Sequence, residues 1–169
     1  MAVKRRRWKT RKRFVSALPA QLAVGIALIT GSHQLDAATT QRIVVDRHTG
    51  IAIDGFDPMA YFTDRRPISG RAEFEYPLDG AVWRFANEGN RAAFIEHPEI
   101  YRPRFGGYDP TAVSRGIAVP GNPMFWLIFG DQLYLFFDQE AWSVFLADPA
   151  AMISGAEARW PEVERSLAQ

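Results

Sequence analysis

Apolar and polar positions fall into two kinds of pattern along this chain. Glu73-Phe74-Glu75-Tyr76 alternates charged and aromatic residues, Leu78-Asp79-Gly80 supplies turn chemistry, and Val82-Trp83-Arg84-Phe85 takes up the alternation again. That period of two on either side of a turn predicts an antiparallel hairpin with one face in the core and one wet. Residues 125–129 and 132–137 are apolar on both faces around Gly130-Asp131, which predicts a second, central hairpin. Ile43-Val44-Val45 can add an edge strand ahead of them.

The helical signals are short and sit behind Asp-Pro or Asn caps. Asp57 before Pro58 predicts a helix with Tyr61 and Phe62 inward, and Asp109 before Pro110 predicts another toward Gly116. Asn87 caps a helix through Glu96, with Ala92, Phe94 and Ile95 inward, and His97-Pro98 stops it. Residues 98–103 are too proline-bound for more than a turn. Asp138 caps a helix carrying Trp142, Phe145 and Leu146, Asp148-Pro149 begins one more, and Trp160-Pro161 ends the ordered part. No repeat or low-complexity segment is read in the domain. The sum is an α+β fold: a small antiparallel sheet built from two hairpins, with several short helices around an aromatic core.

Charge changes the picture at the N-terminus. The chain carries a formal net charge of +1, yet eight of its 20 basic residues lie in the first thirteen positions with no acid among them. The rest is acidic, which removes the main electrostatic support for nucleic-acid binding. Phe14 to Gly31 follows without a charge, and then the small and polar residues Ser32 to Ala38. This order predicts a secretory signal or an uncleaved anchor at 14–31, with the basic flank inside. Arg5-Arg6-Arg7-Trp8 is similar to a twin-arginine signal, and both export routes stay open. The expected organisation is a leader at 1–38, a linker or edge strand at 39–50 and a domain at 51–165. The expected location is extracytoplasmic, periplasmic or inner-membrane anchored, with the membrane a partner if the leader is retained.

Candidate chemistry is sparse. There is no cysteine, so no disulfide, thiolate nucleophile or cysteine metal site. No serine sits in a nucleophile elbow, and Glu73 with Glu75 reads as a solvated strand edge. His33 falls in the leader, leaving His48 and His97 far apart, so a metal site would need His97 brought to Asp57 and Asp109 by the fold. The competing reading makes both aspartates helix caps and places His97 at a helix end.

From Gly55-Phe56-Asp57-Pro58 through Trp160-Pro161 the chain resembles the YHS domain family, in its exported bacterial form. The motifs that carry the resemblance are Asp57-Pro58-Met59-Ala60-Tyr61-Phe62, Trp83-Arg84-Phe85-Ala86, Asn90-Arg91 with Phe94, Pro98-Glu99-Ile100-Tyr101-Arg102-Pro103, Phe105-Gly106-Gly107-Tyr108 and Gly130-Asp131-Gln132-Leu133-Tyr134-Leu135. The resemblance implies a small α+β module, often exported, with metal binding in some relatives and no known reaction. Where the family commonly has cysteine after Gly-Gly-Tyr this chain has Asp109, which disfavours a soft metal and would suit a harder cation.

A ligand site is expected around Tyr61, Tyr101, Arg104, Tyr108 and Asp109, because the Gly106-Gly107 turn lets the backbone give way there. The same turn could cradle an anion beside Arg102 and Arg104, or simply reverse the chain against a core aromatic. The cofactor is undetermined. The functional expectation is a non-catalytic binding or accessory module outside the cytoplasm, taking a small ligand or metal ion. Its alternative is a membrane-anchored protein-interaction domain with no ligand site, and an enzyme of unknown reaction is a distant third.

Overall fold

Two antiparallel hairpins and a set of short capped helices account for the protein between residues 42 and 167, the part that the computed structural model describes. The expected leader, with a signal or anchor at 14–31, lies outside the described residues. Among the described residues no helix is long and apolar enough to cross a membrane.

The first hairpin joins β1 (Arg71–Leu78) to β2 (Ala81–Phe85), and the second joins β3 (Asn122–Phe129) to β4 (Gln132–Phe136). They form two separate two-stranded sheets, where one shared sheet was expected. Around them lie α1 (Ala60–Thr63), α2 (Glu88–Glu96), α3 (Pro98–Tyr101), α4 (Pro110–Val113), α5 (Gln139–Ala147) and α6 (Pro149–Ser166). Four of the five expected caps fall where residue chemistry places them. The helix expected directly behind Asp57 and Pro58 begins instead at Ala60, with Met59 as its N-cap and no side-chain cap, because the Asp57 carboxylate is taken up by Met59 N–H and by the end of the first hairpin. Asn87, Asp109, Asp138 and Asp148 each accept a backbone N–H in the first turn of the following helix.

The order of elements occurs twice, 51 or 52 positions apart, which overturns the reading of a chain without repeats. A left-handed turn at Ile53, Asp54 and Gly55 (φ 43°, 52° and 79°) has its counterpart at Phe105, Gly106 and Gly107 (φ 53°, 61° and 88°). Asp57 and Asp109 follow, with backbone N–H groups donating to Ile68 O at 2.8 Å and Val119 O at 2.9 Å. Gly70 N–H donates to Gly55 O at 2.8 Å, as Gly121 N–H does to Gly107 O at 2.9 Å. Even the strand irregularity repeats, between Arg71 and Glu75 in one hairpin and between Asn122 and Trp126 in the other. Each half stacks two aromatics of its second strand on one helix phenylalanine. Trp83 and Phe85 lie 5.2 and 5.1 Å from Phe94, and Tyr134 and Phe136 lie 5.3 and 5.1 Å from Phe145, between ring centroids.

Strand periodicity then ties the halves together. Leu133 and Leu135 of β4 enter the core of the first half, with Trp83, Phe85 and Phe94, whereas Tyr134 and Phe136 enter the core of the second half with Phe145 and Val113. The apolar character of both faces of this strand has that cause. In the first hairpin one face of β2 is core, and the other carries Arg84, whose Nε donates to Glu75 Oε1 at 2.8 Å.

Three expectations about the ends and faces are corrected. Ile43 is buried in the first core, so the fold begins ahead of residue 51. Its neighbour Val44 donates to Gly106 O at 2.8 Å and accepts from Ile53 N–H at 3.0 Å, and so bridges the two left-handed turns. The helix α6 continues through Pro161 to Ser166 where an end at 160–161 was expected, because Trp160 and Val163 have core positions to fill on the far side. Ile95 and Leu146 are exposed and Ala92 faces solvent, since each nine-residue helix spends its buried positions on one phenylalanine, Phe94 or Phe145.

Candidate functional site: a cleft between the two halves

The two hairpins and the segment that joins the halves leave a cavity of about 700 Å3 between them. Asp79 and Trp83 come from the first hairpin and Gln132 from the second. Arg102, Arg104 and Phe105 come from the joining segment, and Trp160 and Glu164 from α6. Arg42 and Ile43 close one side.

Each arginine of the cleft has an acidic partner. Arg102 Nη1 donates to Asp79 Oδ2 at 2.6 Å, and Arg104 Nη2 donates to Glu157 Oε1 at 2.7 Å. The guanidinium of Arg104 also lies 5.4 Å over the ring of Phe105. Arg42 Nε pairs with Glu164 at 3.5 Å. Arg104 also meets the hydroxyl of Tyr134.

Two donors there have no acceptor. Trp83 is fully buried and its indole Nε1–H lacks a hydrogen-bond partner, and so does the Nε–H of Arg104. Among the described residues only one other buried side-chain nitrogen or oxygen shares that state, on Arg91. A buried donor left without a partner costs about 1–3 kcal/mol, so native proteins hold few of them. Two of the three belong to residues that line this cavity.

The residues expected to form a ligand site separate in the structure. Arg104 lines this cleft. Tyr61 is buried under α1, its hydroxyl donating to Pro123 O at 3.0 Å, and burial together with the charges of Asp57 and Asp54 holds its pKa far above the usual tyrosine range. Tyr101 stacks edge-on against Phe62, 5.3 Å between centroids. Tyr108 is buried against Trp160, 6.1 Å between centroids, and burial raises its pKa against the pull of Arg47. The Gly106 turn and Arg102 do join Arg104 at the cleft, as the anion reading of that segment required.

Asp109 lines a different, smaller cavity of about 420 Å3 with Thr111, Ala112, Arg115, Phe137, Ala141 and Val144. Its Oδ1 accepts from Thr111 N–H and Oγ1, both at 2.7 Å, and its Oδ2 accepts from Phe137 N–H at 3.0 Å. Asp57 does the same work in the first half, accepting from Met59 N–H and Ala86 N–H, each at 2.8 Å. Both aspartates therefore tie a helix start to the end of a hairpin.

The expected metal set does not assemble. His97 is exposed between Glu96 and Glu99, while Asp57 and Asp109 are each enclosed in their own half. Among the described residues no group of three histidine or acidic side chains is placed to hold a metal ion. The physical reason is that each aspartate is already used by backbone N–H groups at a buried joint.

Sequence reasoning passed over Arg42, Trp160 and Glu164 as parts of a site. Their positions span the whole domain, and only the doubled framework brings them to one cleft. The doubled Asp-Pro motif at 57–58 and 109–110 was the available signal for it. Compared with protein-family models, with curated proteins and with solved structures, the chain shows no match.

Proposed function

We propose that this chain is a YHS-like, non-catalytic binding module that works outside the cytoplasm and holds a small ligand in the cleft between its two halves. One observation carries the reading: a cavity of about 700 Å3, the size of ordinary small-molecule sites, whose walls come from both hairpins, the joining segment and α6. The basic, then apolar, order of residues 4–31 supports the extracytoplasmic location. A metal ion alone is the less favoured occupant, because two of the three acids around the cleft, Asp79 and Glu164, are engaged with arginines.

The test is a thermal-shift screen of the full chain against small acids, amines, sugars and divalent cations, repeated on Gln132→Trp, which places a large ring in the cleft. Stabilisation by one compound class in the parent and its loss in the variant is the expected result. Hits that persist unchanged in Gln132→Trp would move the site elsewhere. A screen with no hit would favour the protein-interaction reading. That second reading has an observation of its own: Phe137 and Val144 stand 55% and 44% exposed beside the smaller cavity. Fractionation of cells producing the full chain tests the location, and recovery with the intact leader in the soluble cytoplasm would overturn it.

A further inference from the structure

The surface around the smaller cavity carries side chains that the doubled framework does not require. Phe137 and Val144 stand exposed on it, where the first half has the half-buried Ala86 and Ala93 at the equivalent positions. Ile117 follows the left-handed Gly116 as Arg66 follows the left-handed Arg65, and it too is exposed. The first half shows that alanine and arginine serve the fold at these places. Large apolar side chains left in water around one groove mark a surface that meets another surface.

We propose that this groove is the interface of a symmetric dimer. Its occupant is a second copy of the chain, with Phe137 of each copy entering the groove of the other and Arg115 of each meeting Glu140 of the other. The proposal does not rest on the cleft reading, since no residue lines both cavities.

Shape is the first support. One wall of the groove comes from α4 and its exit, with Thr111, Ala112 and Arg115. The other comes from Phe137 and the first turns of α5, with Glu140, Ala141 and Val144. The last three share a face of that helix, since residues three and four apart are neighbours on a helix surface. Phe137 is fixed at its backbone, where its N–H donates to Asp109 Oδ2 at 3.0 Å. An exposed ring beside a groove walled by alanine and valine is a knob next to a hole, which is what a self-matching surface needs.

Charge selects the second copy over a different protein. Arg115 and Glu140 stand on opposite walls, and neither forms an ion pair with another described residue. A half-turn about an axis through the groove exchanges its walls, so each Arg115 comes opposite the Glu140 of the other copy. The same surface then answers both signs twice. A partner of one sign would leave either the arginine or the glutamate unanswered. Exposed ion pairs add little affinity, so these two fix the orientation while the apolar residues hold the copies together.

Sedimentation velocity of the full chain in a mild detergent, over a range of concentrations, reads the association. The parent is expected to pass from monomer to dimer as concentration rises. Phe137→Ala combined with Val144→Ala gives the second half the side chains of the first, and is expected to weaken the dimer about ten-fold or more with the far-ultraviolet circular dichroism unchanged. Arg115→Glu is expected to weaken it by about ten-fold as well, because like charges then face each other. Adding Glu140→Arg to that variant is expected to restore the parent affinity, since the reciprocal pairs re-form with their signs exchanged. The chain has no cysteine, so a mixture of Arg115→Cys and Glu140→Cys proteins treated with a short bis-maleimide is expected to yield the mixed dimer.

A chain that stays monomeric at every concentration would overturn the proposal and leave the groove to another protein. A dimer that every one of these substitutions leaves unchanged would have its interface elsewhere, which overturns it equally. A dimer weakened by the alanine pair but indifferent to Arg115→Glu, or not rescued by the exchanged charges, would overturn the reciprocal pairing and the twofold arrangement with it. None of these results depends on a ligand in the larger cleft, so failure here leaves that site standing.

Discussion

The side-chain amide of Asn90 donates to Asp57 Oδ2 at 2.7 Å, and the equivalent pair in the second half does not exist, because the residue in place of Asn90 is Ala141. The two halves otherwise treat their aspartates alike. Asp57 Oδ2 has two donors, Ala86 N–H and Asn90 Nδ2, whereas Asp109 Oδ2 has Phe137 N–H. Asp109 and Ala141 both line the smaller cavity.

Removing the amide from the first half should therefore cost more than a surface change. Asn90→Ala is expected to destabilise the protein by about 1.5–3 kcal/mol, the usual worth of a hydrogen bond to a charged group. The reverse substitution, Ala141→Asn, is expected to raise stability by about 1 kcal/mol by restoring that bond in the second half. Urea unfolding of the two variants measures both. Equal and small effects would mean that the bond seen in the first half contributes little.

Asp109 tests what a buried carboxylate does at a joint between helix and hairpin. A cap alone is worth about 1 kcal/mol. This side chain also receives Phe137 N–H from the end of the second hairpin, so Asp109→Ala is expected to cost about 3 kcal/mol, with a similar loss for Asp57→Ala. Thermal denaturation decides between these values.

Gly106 sits where no other residue fits. A Cβ there would lie 1.8 Å from the carbonyl oxygen of Arg42, on a backbone already at φ 61°. Gly106→Ala must push residues 42–44 away from the turn and break the bond from Val44 N–H. A loss of about 3 kcal/mol or more is expected, with faster amide exchange at Val44 and Ile53 as its local signature.

Alkali should unfold this protein through its tyrosines. Burial raises the pKa of Tyr61, Tyr108 and Tyr134, with Asp57 and Asp54 adding to the effect at Tyr61. A tyrosine whose folded pKa is raised contributes stability that is fully present below the unfolded value of about 10 and is lost as pH rises from there toward the folded value. Melting temperature is therefore expected to fall above about pH 10. Tyr61→Phe should make the fall shallower, while costing about 1 kcal/mol at neutral pH for the lost bond to Pro123 O. An alkaline limb of the same slope in parent and variant would remove Tyr61 from the account.

Local chemistry was legible in the sequence wherever it is decided by a few neighbouring residues. Asn87 starting a helix that ends at Glu96, the turn at Asp79-Gly80 and the turn at Gly130-Asp131 follow from side-chain hydrogen bonding and from strand periodicity. The repeat was not legible, because it is written in geometry more than in identity. Trp83 answers to Tyr134, Ile53 to Phe105 and Asn90 to Ala141, pairs that share volume or position but no letter. The site suffered for the same reason. Tyr61, Tyr101, Tyr108 and Asp109 look convergent along the chain, but core burial claims Tyr61 and Tyr108, packing against Phe62 claims the half-buried Tyr101, and backbone capping claims the aspartate. Arg104 was found because charge beside a glycine turn is a local signal. The orphaned indole of Trp83 could not be, since whether a buried N–H has a partner depends on every strand around it.

The helices that close the two halves are unequal, four residues in α3 against eighteen in α6. Had both copies ended alike, each would have offered the same outer wall, and the molecule would have had two equivalent sides. The longer α6 sets Trp160 and Glu164 at the larger cleft, a wall to which α3 offers no counterpart. A doubled framework thereby acquires a front and a back.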